Sequence, residues 1–204
     1  MYRVKREATN VKQAANKNYS FQYILFYKPY LVLSQFTRED GKQSLADFQL
    51  PKNIYPVGRL DYDSEGLLLL TDDNRLKHQL TDPKFDHPKT YLAQVERIPT
   101  EEMLEKLRSG IIIEGKKTKP AEIRLLNEEP NLPPRTIPIR FRKTVPTAWI
   151  ELTLREGRNR QVRKMTAAIG HPTLRLVRIT IGNLRIENLQ PGEWKHIQKS
   201  DIAL

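Results

Sequence analysis

The sequence predicts an α+β fold: a largely antiparallel mixed sheet flanked by helices. Three observations lead there. Strand-like segments in which apolar and polar residues alternate, such as KTYLAQVE, recur along the chain. Helical segments are few and isolated, so the strict βαβ order of a parallel sheet is missing. The chain has 204 residues, 38% hydrophobic and 29% charged, enough for one sizeable core or two small ones that share it.

Taken in order, residues 1 to about 20 are polar and aperiodic. They read as a flexible basic arm, which leaves 21–204 as the folded domain. YILFYKPYLVLSQF is rich in β-formers but is broken by Pro29, which has no N–H for a ladder, so two short strands or a bent edge strand are expected. NIYPVGRL reads as a strand leading into a turn. GLLLLTDD reads as a strand buried on both faces, because its apolar run is short and has no helical period. DNRLKHQLTDP is a short helix ending before Pro83, and KTYLAQVE is a strand.

PTEEMLEKLRSG carries the fullest set of helix signals: Thr100 to cap it, Glu101 and Glu102 at its positive end, and Gly110 to close it in a left-handed turn. GIIIEGKKTKPAEIRLLNE reads as two strands. EEPNLPPRTIPIRFRKTVP holds five prolines and four basic residues, a stiffened basic excursion. TAWIELTLREG is a strand. RNRQVRKMTAAIG is a helix with Val162, Met165 and Ile169 on one face and Gly170 beyond its end. TLRLVRITIG reads as a strand with one basic face.

The net charge is +11, and between Arg135 and Arg178 eleven basic residues meet only two acids. Charge so concentrated favours a polyanion, and nucleic acid before an anionic membrane, since these residues lie among strands rather than along one amphipathic helix. There are no cysteines. That excludes disulfides, thiolate metal sites and cysteine nucleophiles, and it fits a reducing compartment. No apolar run approaches the roughly 18 residues of a membrane span, and the N-terminus lacks the apolar core of a signal peptide. A cytoplasmic protein with no membrane partner is expected.

YPVGRLDYDSEGLLLLTDD places two aspartates, Asp61 and Asp63, between an arginine and four leucines. Calcium is one reading, since Asp61, Asp63, Glu65, Gly66 and Asp72 fall at EF-hand loop positions. It fails on the twelfth position, which calls for a bidentate glutamate, and on the strand in the loop's second half. A polar turn built on Ser64 and Gly66 accounts for Asp63 and Glu65. It accounts poorly for Arg59, Leu60 and Asp61. The four histidines are scattered, no phosphate-binding glycine loop occurs, and no serine-histidine pair has elbow context. A carboxylate assisted by basic and aromatic groups is the remaining chemical candidate.

Four ordered segments carry a resemblance. GRLDYDSEGLLLLT is similar to the signature of the RsuA-like pseudouridine synthases. FYKPYLVL resembles that family's lysine-proline strand, KTY its Lys-x-Tyr motif, and EGRNRQVRKMTAAIGHPTLRLVR its basic helix and Gly-x-Pro turn. The match runs over about residues 22 to 197, and several details resemble the RluE branch, which modifies large-subunit ribosomal RNA. The roughly 20-residue arm is too short for the S4 domain that most relatives carry.

The resemblance implies two subdomains with a central active-site cleft. It also implies an isomerisation that detaches uracil at N1 and rejoins it through C5, without metal, redox or nucleotide cofactor. Asp61 would be the essential carboxylate, Arg163 the cation paired with it, and Tyr91 the ring that stacks on the base. The nucleotide must flip out to react. Arg59, placed with Asp61 on one face of a strand, would enter the vacated space or hold the phosphate. Arg158, Arg160 and Lys164, at the helix start, would bind RNA. Asp63 and Glu65 are read as structural. The expected partner is large-subunit ribosomal RNA, met by a monomer. The alternative is a non-catalytic RNA-binding or ribosome-assembly protein on the same scaffold.

Overall fold

The computed structural model describes residues 20–139 and 144–203. The expected basic arm, apart from Ser20, lies outside these residues, as do Arg140, Arg142 and Lys143 of the basic excursion. The elements run β1 (Tyr23–Lys28), β2 (Val32–Leu33), β3 (Gln43–Ser44), β4 (Tyr55–Pro56), β5 (Glu65–Thr71), α1 (Asn74–Thr81), β6 (Lys89–Glu96), α2 (Glu101–Arg108), β7 (Ile112–Ile113) and β8 (Lys116–Lys117). They continue with β9 (Glu122–Leu125), β10 (Thr147–Leu154), α3 (Gln161–Ala168), β11 (Thr173–Ile181), β12 (Leu184–Arg185) and β13 (Trp194–His196). No helix of the described residues is long and apolar enough to cross a membrane.

One large sheet has the order β13-β1-β5-β11-β6-β10-β9, with β4 on β5 and β12 on β11. Its pairings are antiparallel except where β5 meets β11. That parallel seam joins two halves of the sheet through only two residue pairs, Val177 with Glu65 and Arg178 with Gly66. Gly66 makes the close approach possible: a Cβ there would stand 2.3 Å from the Arg178 carbonyl oxygen, and its φ of +109° disfavours any side chain.

Each half has its own core. Beneath α2 and α3, Leu104, Leu107, Val162 and Met165 pack on Ala93, Ile150, Leu152 and Leu176. In the other half β5 is buried along all seven residues. Leu67 and Leu69 pack with α1 and the C-terminal strands, while Leu68 and Leu70 pack with Phe26, Leu45 and Ile54. The four-leucine run is therefore covered on both faces, as its lack of polar alternation predicts.

Helix α2 follows its signals, with Thr100 Oγ accepting from the Met103 N–H and Gly110 left-handed at φ +84°. NIYPVGRL is a strand leading into a turn, as expected, but the strand is short: β4 is Tyr55 and Pro56, the Val57 N–H still donates to Leu69 O at 2.8 Å, and Gly58 then turns the chain at φ +73°. Two expectations are corrected. GIIIEGKKTKPAEIRLLNE forms three strands, because Glu114 and Gly115, both at positive φ, fold β7 onto β8. β11 has no basic face: Arg175 and Arg178 are three residues apart, so a period of two sends them to opposite faces, and both are buried.

Candidate active site

The loop 60–63 carries Asp61, and each of its four carbonyls has a donor. Ser34 Oγ donates to Leu60 O at 2.7 Å and accepts the Leu60 N–H at 3.1 Å. The Ser64 N–H donates to Asp61 O at 3.0 Å. Lys28 Nζ reaches Tyr62 O at 3.5 Å, and Arg163 Nη2 donates to Asp63 O at 2.6 Å. A loop without secondary structure is thereby held from β1, from the segment after β2 and from α3. Its acid is presented by a rigid frame rather than by a strand.

The Asp61 loop faces a cavity of about 660 Å³ at the seam of the sheet. Arg59, Asp61, Tyr91, Arg158 and Arg160 line it together with Leu80, Leu154, Val162 and Leu176. Sequence reasoning placed Arg59 and Asp61 on one strand face. They are in a turn, yet they line the same cavity. Arg163 and Lys164 are not among the lining residues. Arg163 supports the loop from behind, and Lys164 Nζ bonds Glu114 at 2.7 Å.

Two arginines, Arg160 just before α3 and Arg163 in its first turn, converge on the second aspartate. Arg160 gives Asp63 a two-pronged contact, both N···O distances 2.8 Å, and its Nη1 lies 3.8 Å from Asp61 Oδ2. Arg163 Nη2 is 3.4 Å from Asp63 Oδ2, and its Nη1 donates to Thr173 O at 3.2 Å. The carboxylate paired with Arg163 is thus Asp63, and the cation nearest Asp61 in an ion pair is Arg160. Burial by itself would raise the Asp63 carboxyl, but the Arg160 hydrogen bonds and the Arg163 charge outweigh it and hold the group below the ordinary carboxylate value. Arg163 is shifted downward, chiefly by burial.

Arg158 donates to the Lys116 and Lys117 carbonyls and pairs with Glu156 at 3.4 Å. Arg59 is exposed and donates to Gln35 Oε1 at 3.0 Å. Much of the basic segment's charge is therefore engaged within the fold, including Arg175, which holds Glu65 through two buried contacts of 3.0 and 2.8 Å.

Sequence reasoning gave no role to Lys28. Its side chain is fully buried and donates to Pro29 O at 2.8 Å and Val32 O at 2.7 Å as well as to Tyr62 O. Burial, against the pull of Glu65, Asp63 and Asp61, brings its pKa down to about 7. The available signal was a lysine inside an otherwise apolar strand, since such a residue is rarely buried without a partner. Asp63 was read only as a turn residue, because a pairing a hundred positions away leaves no local trace.

Residues 22–168 match the family described as RNA pseudouridylate synthase. The chain belongs to this family. The match takes in β1, the Asp61 loop, Tyr91 and α3, and stops short of the Gly-x-Pro turn. Among pseudouridine synthases, the ribosomal large subunit pseudouridine synthase E of Xanthomonas axonopodis pv. citri is 55% identical over 170 residues, covering 82% of this chain and 90% of its own length. Its namesake from Vibrio vulnificus is 53% identical over 174 residues, covering 85% and 74%. A crystal structure of a pseudouridylate synthase superposes with a TM-score of 0.74 at 29% identity, covering 89% of this chain and 72% of that one. The large mixed sheet with its flanking helices is thus the pseudouridylate synthase fold.

Proposed function

We propose that the protein isomerises a specific uridine of large-subunit ribosomal RNA to pseudouridine, with Asp61 as the catalytic carboxylate. The observation that carries this reading is the Asp61 loop, with all four carbonyls held, at a cavity that also presents Tyr91. The names of the relatives point to the same RNA. The cavity is within the size range of pockets for small ligands, and uridine in a helix must leave the stack to expose N1 and C5 together.

In this reading Tyr91 lies against the flipped base. Arg163 and Arg160 hold the Asp61 loop through Asp63, and Arg160 adds a positive charge beside the Asp61 carboxylate. Arg59, Arg158 and Arg160 supply positive charge toward the phosphates, and Lys164, balanced by Glu114, adds less. The reaction exchanges an N1–C1′ bond for a C5–C1′ bond and moves a proton from C5 to N1, so atoms and electrons balance without a cofactor. One chain supplies every group named, and the protein is taken as a monomer acting in the cytoplasm.

The test is a map of pseudouridine in large-subunit RNA from cells lacking the protein. One modification should disappear and return with the intact gene but not with Asp61→Asn. A complete map in the deleted strain would sink the assignment. Restoration by Asp61→Asn would favour the non-catalytic RNA-binding role.

A further inference from the structure

Two further cations of the cavity, Arg178 and Lys89, have no role in the reading so far. Arg178 lies opposite Tyr91 on the neighbouring strand, and Lys89 is two residues from Tyr91 on β6, so the three share one face of the sheet. All three line the cavity. Arg178 is 3% exposed; its Nε donates to Leu67 O at 2.9 Å, and its buried Nη2 has no partner among the described residues. Among the described residues, Lys89 Nζ reaches only a neutral acceptor, the His87 carbonyl at 3.3 Å. Arg175, on the same strand, is the contrast: a structural buried arginine here has a carboxylate, Glu65, on its guanidinium.

The other acids lining the cavity are engaged elsewhere, Asp82 with Lys84, Asp86 with Lys119 and Glu156 with Arg158. Burial and then the charge of Arg178 lower the pKa of Lys89. An anion arriving between the two would relieve both effects. Two buried or half-buried cations with no carboxylate paired to either among the described residues are what a site for transient negative charge requires.

We propose that Arg178 and Lys89 form a cationic floor that takes the negative charge developing on the uracil ring. The inference rests on the reaction assigned above. When the N1–C1′ bond breaks, its electron pair stays on the ring, shared between N1 and the carbonyl oxygens. If a carboxylate first adds at C6, the pair moves instead to C5 and O4. Both routes make the ring anionic before C5 joins C1′, C5 gives up its proton and N1 gains one. A phosphate is the poorer occupant of this floor. It is tethered to the polymer and meets the exposed guanidiniums at the cavity mouth, whereas the flipped base enters deepest.

The experiment measures single-turnover conversion at saturating RNA beside RNA affinity, for Arg178→Gln and Lys89→Gln. Lys89→Arg and Arg178→Lys test whether charge restores the rate. Each Gln variant should convert uridine roughly 100-fold more slowly, the cost of removing one preorganised group, while affinity stays within about threefold. The charge-keeping variants should recover at least a tenth of the wild-type rate. Unchanged rates in both Gln variants overturn the proposal. So does weakened affinity with an unchanged rate at saturation, which would mark a phosphate contact. Should Arg178→Gln fail to fold, the less buried Lys89 decides by the same criteria. Absence of conversion by the unaltered protein is a different failure, for it overturns the assigned reaction and this inference with it.

Discussion

Asp61 and Asp63 are two residues apart and have different work. Asp61→Asn is nearly isosteric and leaves the carbonyls of the loop in place. It should give a folded protein that binds RNA within several-fold of wild type and forms no detectable pseudouridine; conversion at the wild-type rate would end the catalytic assignment. Sequence reasoning made Asp63 a structural turn residue, and so one of little weight for activity. Its contacts with Arg160 and Arg163 change that expectation. Asp63→Asn should slow conversion by roughly 10- to 100-fold, the usual cost of a misplaced catalytic group. Full activity in that variant would show that the arginines hold the loop without it. Lys28 gives a pH dependence. Its folded pKa of about 7 lies below the ordinary 10.5, so between these values the unfolded chain binds a proton that the folded one does not. Stability should therefore rise with pH across that window. Urea midpoints at pH 7 and pH 9 should show wild type gaining on Lys28→Met; parallel midpoints would mean that the three carbonyls keep the ammonium charged.

At the scale of elements, what the sequence discloses is what local chemistry decides. α2 is legible because capping residue, acidic first turn and closing glycine lie within its own eleven residues from Thr100 to Gly110. β6 is legible because its alternation is a property of the segment itself. The β7–β8 hairpin was misread, and β4 is shorter than its segment suggests, because single backbone reversals, at Glu114 with Gly115 and at Gly58, outweigh β-propensity. The internal use of the β11 arginines is illegible locally, since their partners lie on β5, a hundred residues earlier. Arg175→Met leaves Glu65 buried and unpaired and should cost about 3–5 kcal/mol in denaturant unfolding. Replacing Glu65 with leucine as well should return much of it; a loss below about 1 kcal/mol in the single variant would mean the pair is not buried in solution.

The whole molecule carries a net charge of +11, but its RNA surface is smaller than that number suggests, because Arg163, Arg175 and Arg178 are held within the fold. Arg59→Ala should flatten the salt dependence of RNA binding by about one unit, the share of a single neutralised phosphate. Lys164→Ala, whose charge Glu114 already balances, should change the slope less; equal effects would place Lys164 on RNA. The two-residue seam has a consequence for how the enzyme comes into being. The chain enters one half of the sheet at β1, builds the other from β6 to β11, and returns to the first at β13. Each half holds one of the two tryptophans, Trp194 on β13 and Trp149 on β10. In stopped-flow refolding each indole can therefore be silenced by Phe and the other watched alone. Turnover, which in the proposed reaction draws on Asp61 from one half and Tyr91 from the other, should appear no sooner than the slower of the two fluorescence signals. Activity ahead of either signal would mean that the working centre assembles before the sheet is whole.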